Sequence, residues 1–202
     1  MKLYDSTIAP NPRRVRIFLA EKGLTVPLEQ VDIRSGVNRQ PEFLEKNPIG
    51  GLPVLELDDG TCIAESLVIC EYFEDSHPEP PLIGRTPEEK AVARMWERRM
   101  ELEVMAPLLG AFRHSSPFFA GRITQVAEMV EPSRGAAKKR LAWVDELLGT
   151  REFIVGDRYT IADITLFCAV DFGGKVGEGY DPSLKNLTRW HESMKARPSA
   201  TA

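Results

Sequence analysis

The chain has 202 residues, 43% hydrophobic and 28% charged, a globular balance that excludes a disordered or collagen-like polymer. Lys and Arg number 26 against 30 Asp and Glu, a formal net charge of −4, and no basic run exceeds the triplet Lys138-Lys139-Arg140, so the footprint of a nucleic-acid partner is missing. Apolar stretches such as residues 166–170 fall far short of the roughly 20 residues that cross a bilayer, and residues 1–6 lack the apolar core of a secretory signal. The expectation is a cytoplasmic protein with no membrane partner.

Three cysteines, Cys62, Cys70 and Cys168, stand far apart among apolar neighbours, which fits reduced, buried thiols better than a disulfide frame or a zinc site. The histidines His77, His114 and His191 are scattered and form no metal-ligand spacing, so no metal is expected.

Turn signals and hydrophobic period predict a mixed first part and a helical second part. Residues 2–5 read as a strand and 12–22 as a helix with Val15, Phe18 and Leu19 on one face and Gly23 at its end. Residues 28–33 alternate as a second strand. A short helix at 42–46 precedes Val54-Leu55-Glu56-Leu57, the turn Asp58-Asp59-Gly60, and Cys62-Ile63-Ala64, a hairpin by its Asp-Gly signal. Ser66 is placed to cap a helix running to about residue 75. His77-Pro78-Glu79-Pro80-Pro81 reads as a stiff linker. Residues 1–80 carry eight basic and fourteen acidic side chains, the remainder eighteen and sixteen, a change of balance consistent with a boundary there.

Beyond the linker, Val92, Met95, Trp96, Met100, Val104, Met105 and Leu108 form a helical stripe over 87–112, repeated by Ala137, Leu141, Val144 and Leu148 and by Leu184, Leu187, Trp190 and Met194. In Tyr159-Thr160-Ile161-Ala162-Asp163-Ile164, Thr160 and Asp163 have the spacing of a capping box and Tyr159 and Ile164 that of a staple, so a buried helix is predicted from Ile161.

The familiar catalytic signatures are absent, and Gly173-Gly174-Lys175, Gly177-Glu178-Gly179 and His191-Glu192 lack the context of a phosphate loop, a dinucleotide turn or a zinc motif. The informative segment is Asn47-Pro48-Ile49-Gly50-Gly51-Leu52-Pro53-Val54-Leu55, followed by Glu65-Ser66. Pro53 cannot donate to a strand ladder, and a cis bond before it would leave the Leu52 backbone free to pair with something extended. A helix N-terminus at Ser66 suits a carboxylate, and Glu65 an ammonium group beside it. The plainer reading, that Pro53 ends a loop and Ser66 caps a helix, stands beside this one.

Met1-Lys2-Leu3-Tyr4, Pro12-Arg13-Arg14-Val15-Arg16, Pro41-Glu42-Phe43, Asn47-Pro48, Leu52-Pro53, Asp58-Asp59-Gly60 and Glu65-Ser66, in this order, together resemble the N-terminal domain of cytosolic glutathione S-transferases. Residues 156–165 resemble that family's helical domain. The resemblance implies an α+β thioredoxin-like domain (β-α-β-α-β-β-α) over 1–80, a linker at 81–86 and an all-α bundle over 87–202, assembled as a homodimer. It implies glutathione as co-substrate, with the Leu52 backbone against the cysteinyl part, Pro53 cis, Glu65 and Ser66 at the γ-glutamyl end, and Asn38 near the glycyl carboxylate. The basic residue that many relatives carry just before the Leu-Pro pair is replaced here by Gly50 and Gly51.

The chain also departs from the family where a Tyr, Ser or Cys usually activates the thiol. It reads Ile8-Ala9-Pro10-Asn11-Pro12, with Ala9 at the usual serine position. Tyr4 is one residue out of register with the tyrosine position, and Ser6 lies earlier in the loop. The sequence resembles a subgroup with only Gly or Ala there, in which the first helix's N-terminus and a held water stabilise the thiolate. A helix N-terminus contributes roughly 0.3–1 kcal/mol or more to such a charge. The water-holding pair corresponds to Leu109 and Arg113, the first of them apolar, which leaves Arg113, His114, Ser115 and Ser116 as local substitutes and His114 as the first choice. His114 as a plain helix-end residue is the competing reading.

The catalytic candidates are therefore Ala9, Asn11 and His114. The expected reaction is transfer of glutathione to a small hydrophobic electrophile held between the domains, near Met105, Leu108, Phe112 and Pro117-Phe118-Phe119. The alternatives are a non-catalytic ligand-binding or dimerisation protein on the same fold, and a glutathione-dependent thiol reductase or isomerase, the latter disfavoured by the absence of a Cys near Ala9.

Overall fold

In the computed structural model, which describes residues 1–202, the first four strands and three helices follow the predicted order: β1 (Lys2–Asp5), α1 (Pro10–Glu21), β2 (Leu28–Gln30), α2 (Pro41–Leu44), β3 (Val54–Glu56), β4 (Cys62–Ala64) and α3 (Ser66–Ser76). The sheet order is β2-β1-β3-β4, with β1 parallel to β2 and antiparallel to β3, and β3 antiparallel to β4. Tyr4 lies opposite Val54, and Val54 opposite Ala64. Alternation along the strands then sorts the side chains. Tyr4 and Val54 pack with Val31 and with Phe43 of α2, the Tyr4 and Phe43 rings edge to face at 5.8 Å. Leu3 and Leu55, both fully buried, point to the opposite face. Helices α1 and α3 pack on each other, and α3 also packs on β3 and β4.

β2 is shorter than the predicted 28–33. Val31 still donates to the Asp5 carbonyl at 2.8 Å, but the Asp32 carboxylate accepts from the Arg34 N–H at 2.9 Å, a local turn that competes with the ladder. That hydrogen bond also holds the Asp32 carboxyl below its usual pKa.

At the other end of α1, Lys22 is wholly buried against Glu74 at 2.7 Å and donates to the carbonyls of His77 and Pro80, each at 2.8 Å. A buried ammonium needs such a full set of acceptors, and here they tie the proline-rich segment to α1.

The chain forms two compact units, Met1–Leu82 with Pro198–Ala202, and Ile83–Arg197. The last five residues thus depart from the expected 87–202 helical span: Arg13 donates to the Ala200 carbonyl at 2.8 Å and Ser199 hydrogen-bonds Glu21, both on α1.

The second unit holds α4 (Pro87–Arg99), α5 (Ala106–Ser115), α6 (Val130–Leu148), α7 (Ile161–Lys175) and α8 (Lys185–Lys195). Between α4 and α5, Met100–Met105 forms a π turn rather than the uninterrupted α-helix of the sequence reading. Pro107 follows directly; its ring and missing N–H disturb the bonding of the preceding turn, and a π turn is one way to absorb that. Trp96, Met100, Val104, Met105 and Leu108 are buried as expected, but Val92 and Met95 are each 41% exposed. Among the cysteines, Cys70 and Cys168 are buried while Cys62, on the edge strand β4, is only partly so.

The capping box forms: the Ala162 N–H donates to Thr160 Oγ1 at 3.3 Å, and the Thr160 N–H to Asp163 at 3.0 Å. Asp163 also accepts from the Ile154 N–H and from Trp190 Nε1. Burial pushes its carboxyl up to about 6, against the pull of these hydrogen bonds. Because this folded-state pKa lies above the unfolded value, the proton's contribution to stability is complete below about pH 4 and lost as pH rises through about 6. Urea midpoints from pH 4 to 7 are expected to carry this falling component in the parent chain and to lack it in Asp163→Asn; parallel profiles would refute it.

Candidate functional site

The register of β1, β3 and β4 brings three segments distant in sequence to one end of the sheet. β1 leaves its row at Tyr4, β3 enters at Val54 and β4 leaves at Ala64, so the approach to α1, the Leu52-Pro53 pair and the Glu65-Ser66 pair all emerge there. Ala9, Asn11, Leu52, Pro53, Glu65 and Ser66 gather by this topology.

The Leu52–Pro53 bond is cis. Neither the N–H nor the carbonyl of Leu52, a half-buried residue, makes a hydrogen bond within the chain. The loop before it is held from three sides. Asn47 donates to the Gly51 carbonyl at 3.0 Å, Asn38 to the Gly50 carbonyl at 2.7 Å and Arg39 to the Ile49 carbonyl at 2.7 Å. Gly50 has φ +65°, and a Cβ there would lie 2.4 Å from the Asn38 carbonyl oxygen, so the segment 38–39 approaches too closely for any other residue. Asn38 therefore acts on the loop. The exposed guanidinium of Arg39 is the cation beside it, a residue the sequence reading passed over by seeking a basic group only within the loop itself.

Ser66 is the first residue of α3 and not its cap; Glu65 is the N-cap, and no side chain caps the helix. The correction matters because the Ser66 hydroxyl, on a side chain in a residue only 5% exposed, has no partner within the chain. Glu65 has φ 68° and ψ 116° and is the one non-glycine residue with positive φ. Such a conformation costs of order 1–3 kcal/mol and is found at functional sites. Its carboxylate is exposed and makes no ion pair in the chain.

Tyr4 is excluded from this end: its hydroxyl donates to Glu56 at 2.7 Å on the α2 face. Ser6 is buried, and its carbonyl accepts from Ala9. His114 lies in the other unit, on the last turn of α5, where its Nδ1 accepts from the Val126 N–H at 3.3 Å and so helps to hold the segment after the helix. Gln125 donates to the carbonyls of Arg113 and Ser116, both at 2.9 Å. Met105 and Leu108 are core residues. Phe112, Phe119 and Phe118 form a chain of edge-to-face rings, joined by Phe172, at 5.0–5.3 Å.

A four-stranded mixed sheet with a cis-proline loop facing a helix N-terminus, followed by an all-α unit, defines a thioredoxin-like domain joined to a helical domain. Residues 3–81 match the family model for the glutathione S-transferase N-terminal domain and 99–198 that for the C-terminal domain. Glutathione S-transferase 2 of Saccharomyces cerevisiae is 37% identical over 203 residues, covering 98% of this chain and 87% of the relative. The crystal structure of Gtt2 from Saccharomyces cerevisiae superposes with a TM-score of 0.95 at 36% identity, covering 100% of this chain and 99% of that one. A glutathione S-transferase domain-containing protein of Marinobacter aquaeolei VT8 gives 0.93 at 38% identity, over 98% and 99%. The chain belongs to the glutathione S-transferase family, whose co-substrate is glutathione.

Replacing Glu65 separates its backbone from its charge. Glu65→Gly is expected to be about 1 kcal/mol more stable than Glu65→Ala, since only glycine adopts this φ freely. Denaturant midpoints check it; equal stability of the two variants would show that the position is unstrained.

Proposed function

We propose that the protein transfers glutathione to small hydrophobic electrophiles. The observation that supports this best is the set of groups left without partners at one end of the sheet: the Leu52 backbone, the Ser66 hydroxyl and the Glu65 carboxylate. A tripeptide with an α-amino acid at one end and a carboxylate at the other satisfies them. The Leu52 backbone pairs with its cysteinyl unit, as an added strand would. The Ser66 hydroxyl and the start of α3 take the γ-glutamyl carboxylate and Glu65 its ammonium group. Arg39 takes the glycyl carboxylate, with Asn38 supporting the loop from behind.

In this reading the sulfur lies at the start of α1, where Ala9 has no side chain beyond Cβ to occlude it. The chain belongs to the subgroup with a small residue at this position, and His114 orients a water in the reacting complex. The enzyme lowers the thiol pKa and brings sulfur and electrophile together. The electrophile is apolar, and the Phe112, Phe118 and Phe119 cluster is the surface of matching character. Three free cysteines support a reducing, cytoplasmic setting. The dimer uses α4, where Val92 and Met95 are each 41% exposed at a spacing of three that puts them on one face, continued by Leu102, 51% exposed, on the π turn that follows.

Calorimetry with glutathione and conjugation assays with an electrophile panel test the reading. Ser66→Ala and Arg39→Gln are each expected to weaken binding by roughly 1.5–3 kcal/mol, the worth of a hydrogen bond to a charged group. Unchanged affinity in both would remove them from the site, and tight binding without turnover of any electrophile would favour a carrier. Light scattering is expected to give twice the mass of the chain, reduced toward the monomer by Met95→Glu; a parent chain that is monomeric at all concentrations would contradict the dimer.

A further inference from the structure

β2 is one of the two outer strands of the sheet, and its far edge is open. The Leu3 N–H donates to the Pro27 carbonyl and the Val31 N–H to the Asp5 carbonyl, each at 2.8 Å, so the backbone of residues 27, 29 and 31 faces β1. The alternate residues of a ladder turn their N–H and carbonyl groups the other way. These are Leu28 and Gln30, and no other group in the chain bonds their backbone. All three residues of β2 are exposed. Edge strands are commonly short and bare, but this one borders a cavity. Glu29 lies beside Tyr4 in the register and so on the α2 face, where Tyr4, Val31, Val37 and Phe43 line a space of about 280 Å³ next to it. That volume falls below the range of pockets for drug-sized ligands and suits a single side chain better. The charges around it leave one negative group over. Lys2 pairs with Glu29 at 2.9 Å and Lys46 with Glu56 at 2.8 Å, whereas the exposed Glu42 carboxylate, also on the cavity, has no ion pair in the chain.

We propose that the open edge of β2 receives an extended segment of a partner protein, antiparallel to β2, with one apolar side chain in the cavity and a basic residue on either side of it. Antiparallel addition is the more stable pairing, and it sets one residue of the segment opposite Leu28 and another opposite Gln30, each exchanging both backbone hydrogen bonds. The residue between them falls opposite Glu29 and points, as Glu29 does, to the α2 face. It is the one that enters the cavity. The residues two places before and after it share that face, so a lysine or arginine there passes beside Glu42. A second copy of this chain fits poorly. Two-fold pairing of β2 with itself about residue 29 would set two Glu29 carboxylates directly opposite each other, where like charges destabilise, and would bring no apolar side chain to the cavity. Backbone pairing at an edge, with a pocket for an alternate side chain, is a general mode of peptide recognition, and here it stands independently of the glutathione reading.

The test is titration of the full, isotope-labelled chain with the peptide acetyl-Lys-Val-Leu-Thr-Lys-amide, read by backbone amide shifts in nuclear magnetic resonance. The Leu28 and Gln30 amides are expected to move with one common dissociation constant. Replacing the leucine of the probe by aspartate is expected to weaken binding roughly tenfold or more, since a charge would enter the apolar cavity. N-methylation of the valine or of the threonine removes a backbone donor and is expected to weaken it about tenfold. N-methylation of the leucine, whose N–H points away from β2, is expected to leave it within about twofold. In the protein, Leu28→Pro removes an outward donor without touching the ladder to β1 and is expected to cost about tenfold. Glu42→Gln is expected to weaken binding about threefold at low salt and to lose that effect at high salt. Should Leu28→Pro disturb the strand, the N-methyl series on the parent chain carries the test. No shift of Leu28 and Gln30 at millimolar probe, or binding that N-methylation leaves unchanged, overturns the proposal. Shifts of the two amides that follow protein concentration without the probe would assign the edge to a second copy and overturn it as well.

Discussion

The pairing of Tyr4 with Val54 and of Val54 with Ala64 is the constraint on which everything else in the first unit depends. The strands are only three or four residues long, so their register is set less by ladder length than by what each face buries. A slip of one residue would exchange Leu3 for Tyr4 between the α1/α3 face and the α2 face, placing a hydroxyl in the dry core and freeing Glu56 from its partners. Tyr4 and Lys46 both hydrogen-bond Glu56, at 2.7 and 2.8 Å, and pin the register from the α2 side. With the row fixed, the peptide before β3 and the peptide after β4 must emerge beside the path into α1.

Several buried ionisable groups away from the candidate site have full sets of partners. Lys22 has a carboxylate and two carbonyls. Asp163 has the N–H groups of Ile154 and Thr160, the Trp190 indole and the Thr160 hydroxyl. Asp5, fully buried, has Arg16 and Gln30. By contrast the Leu52 backbone, the Ser66 hydroxyl and the strained backbone of Glu65 come together at a single end of one sheet. A strained dihedral beside backbone and hydroxyl groups without partners in the chain is the pattern of a place that a ligand completes.

The order of elements was legible because each carried a local signal: the Asp59-Gly60 turn between β3 and β4, the Thr160 and Asp163 box at the start of α7, the apolar period of α6. The candidate site was legible at Pro53 and Glu65-Ser66 because proline chemistry and helix starts are written in neighbouring residues. What was not legible depended on tertiary context. Val92 and Met95 have the spacing of a core stripe, yet periodicity alone cannot say which apolar residues a neighbouring element covers. Ser66 has the chemistry of a cap, but the positive φ of Glu65 shifts the helix boundary by one residue and releases the hydroxyl. Arg39 was passed over because its place beside Gly50 comes from a turn folded back against the loop, with no signal in the intervening sequence. Pro198–Ala202 lie with the first unit through contacts to α1 that no local pattern encodes.

The two prolines around Asn11 also bear on what kind of anion the start of α1 can hold. A phosphate or carboxylate spreads its charge over several oxygens and is best met by successive backbone N–H groups. Pro10 and Pro12 remove that possibility while fixing φ for the first turn, so the chain enters the helix with little conformational freedom to lose. The macrodipole persists, since it belongs to the whole helix, but the short-range donors narrow to those of one residue. A single large atom carrying the whole charge, such as a thiolate sulfur, can be met by the one Asn11 N–H that remains, whereas a multi-oxygen anion at the same place would leave most of its acceptors unpaired. The sequence Pro-Asn-Pro thus favours an anion whose charge sits on one atom over a phosphate, at a helix start that would otherwise suit either.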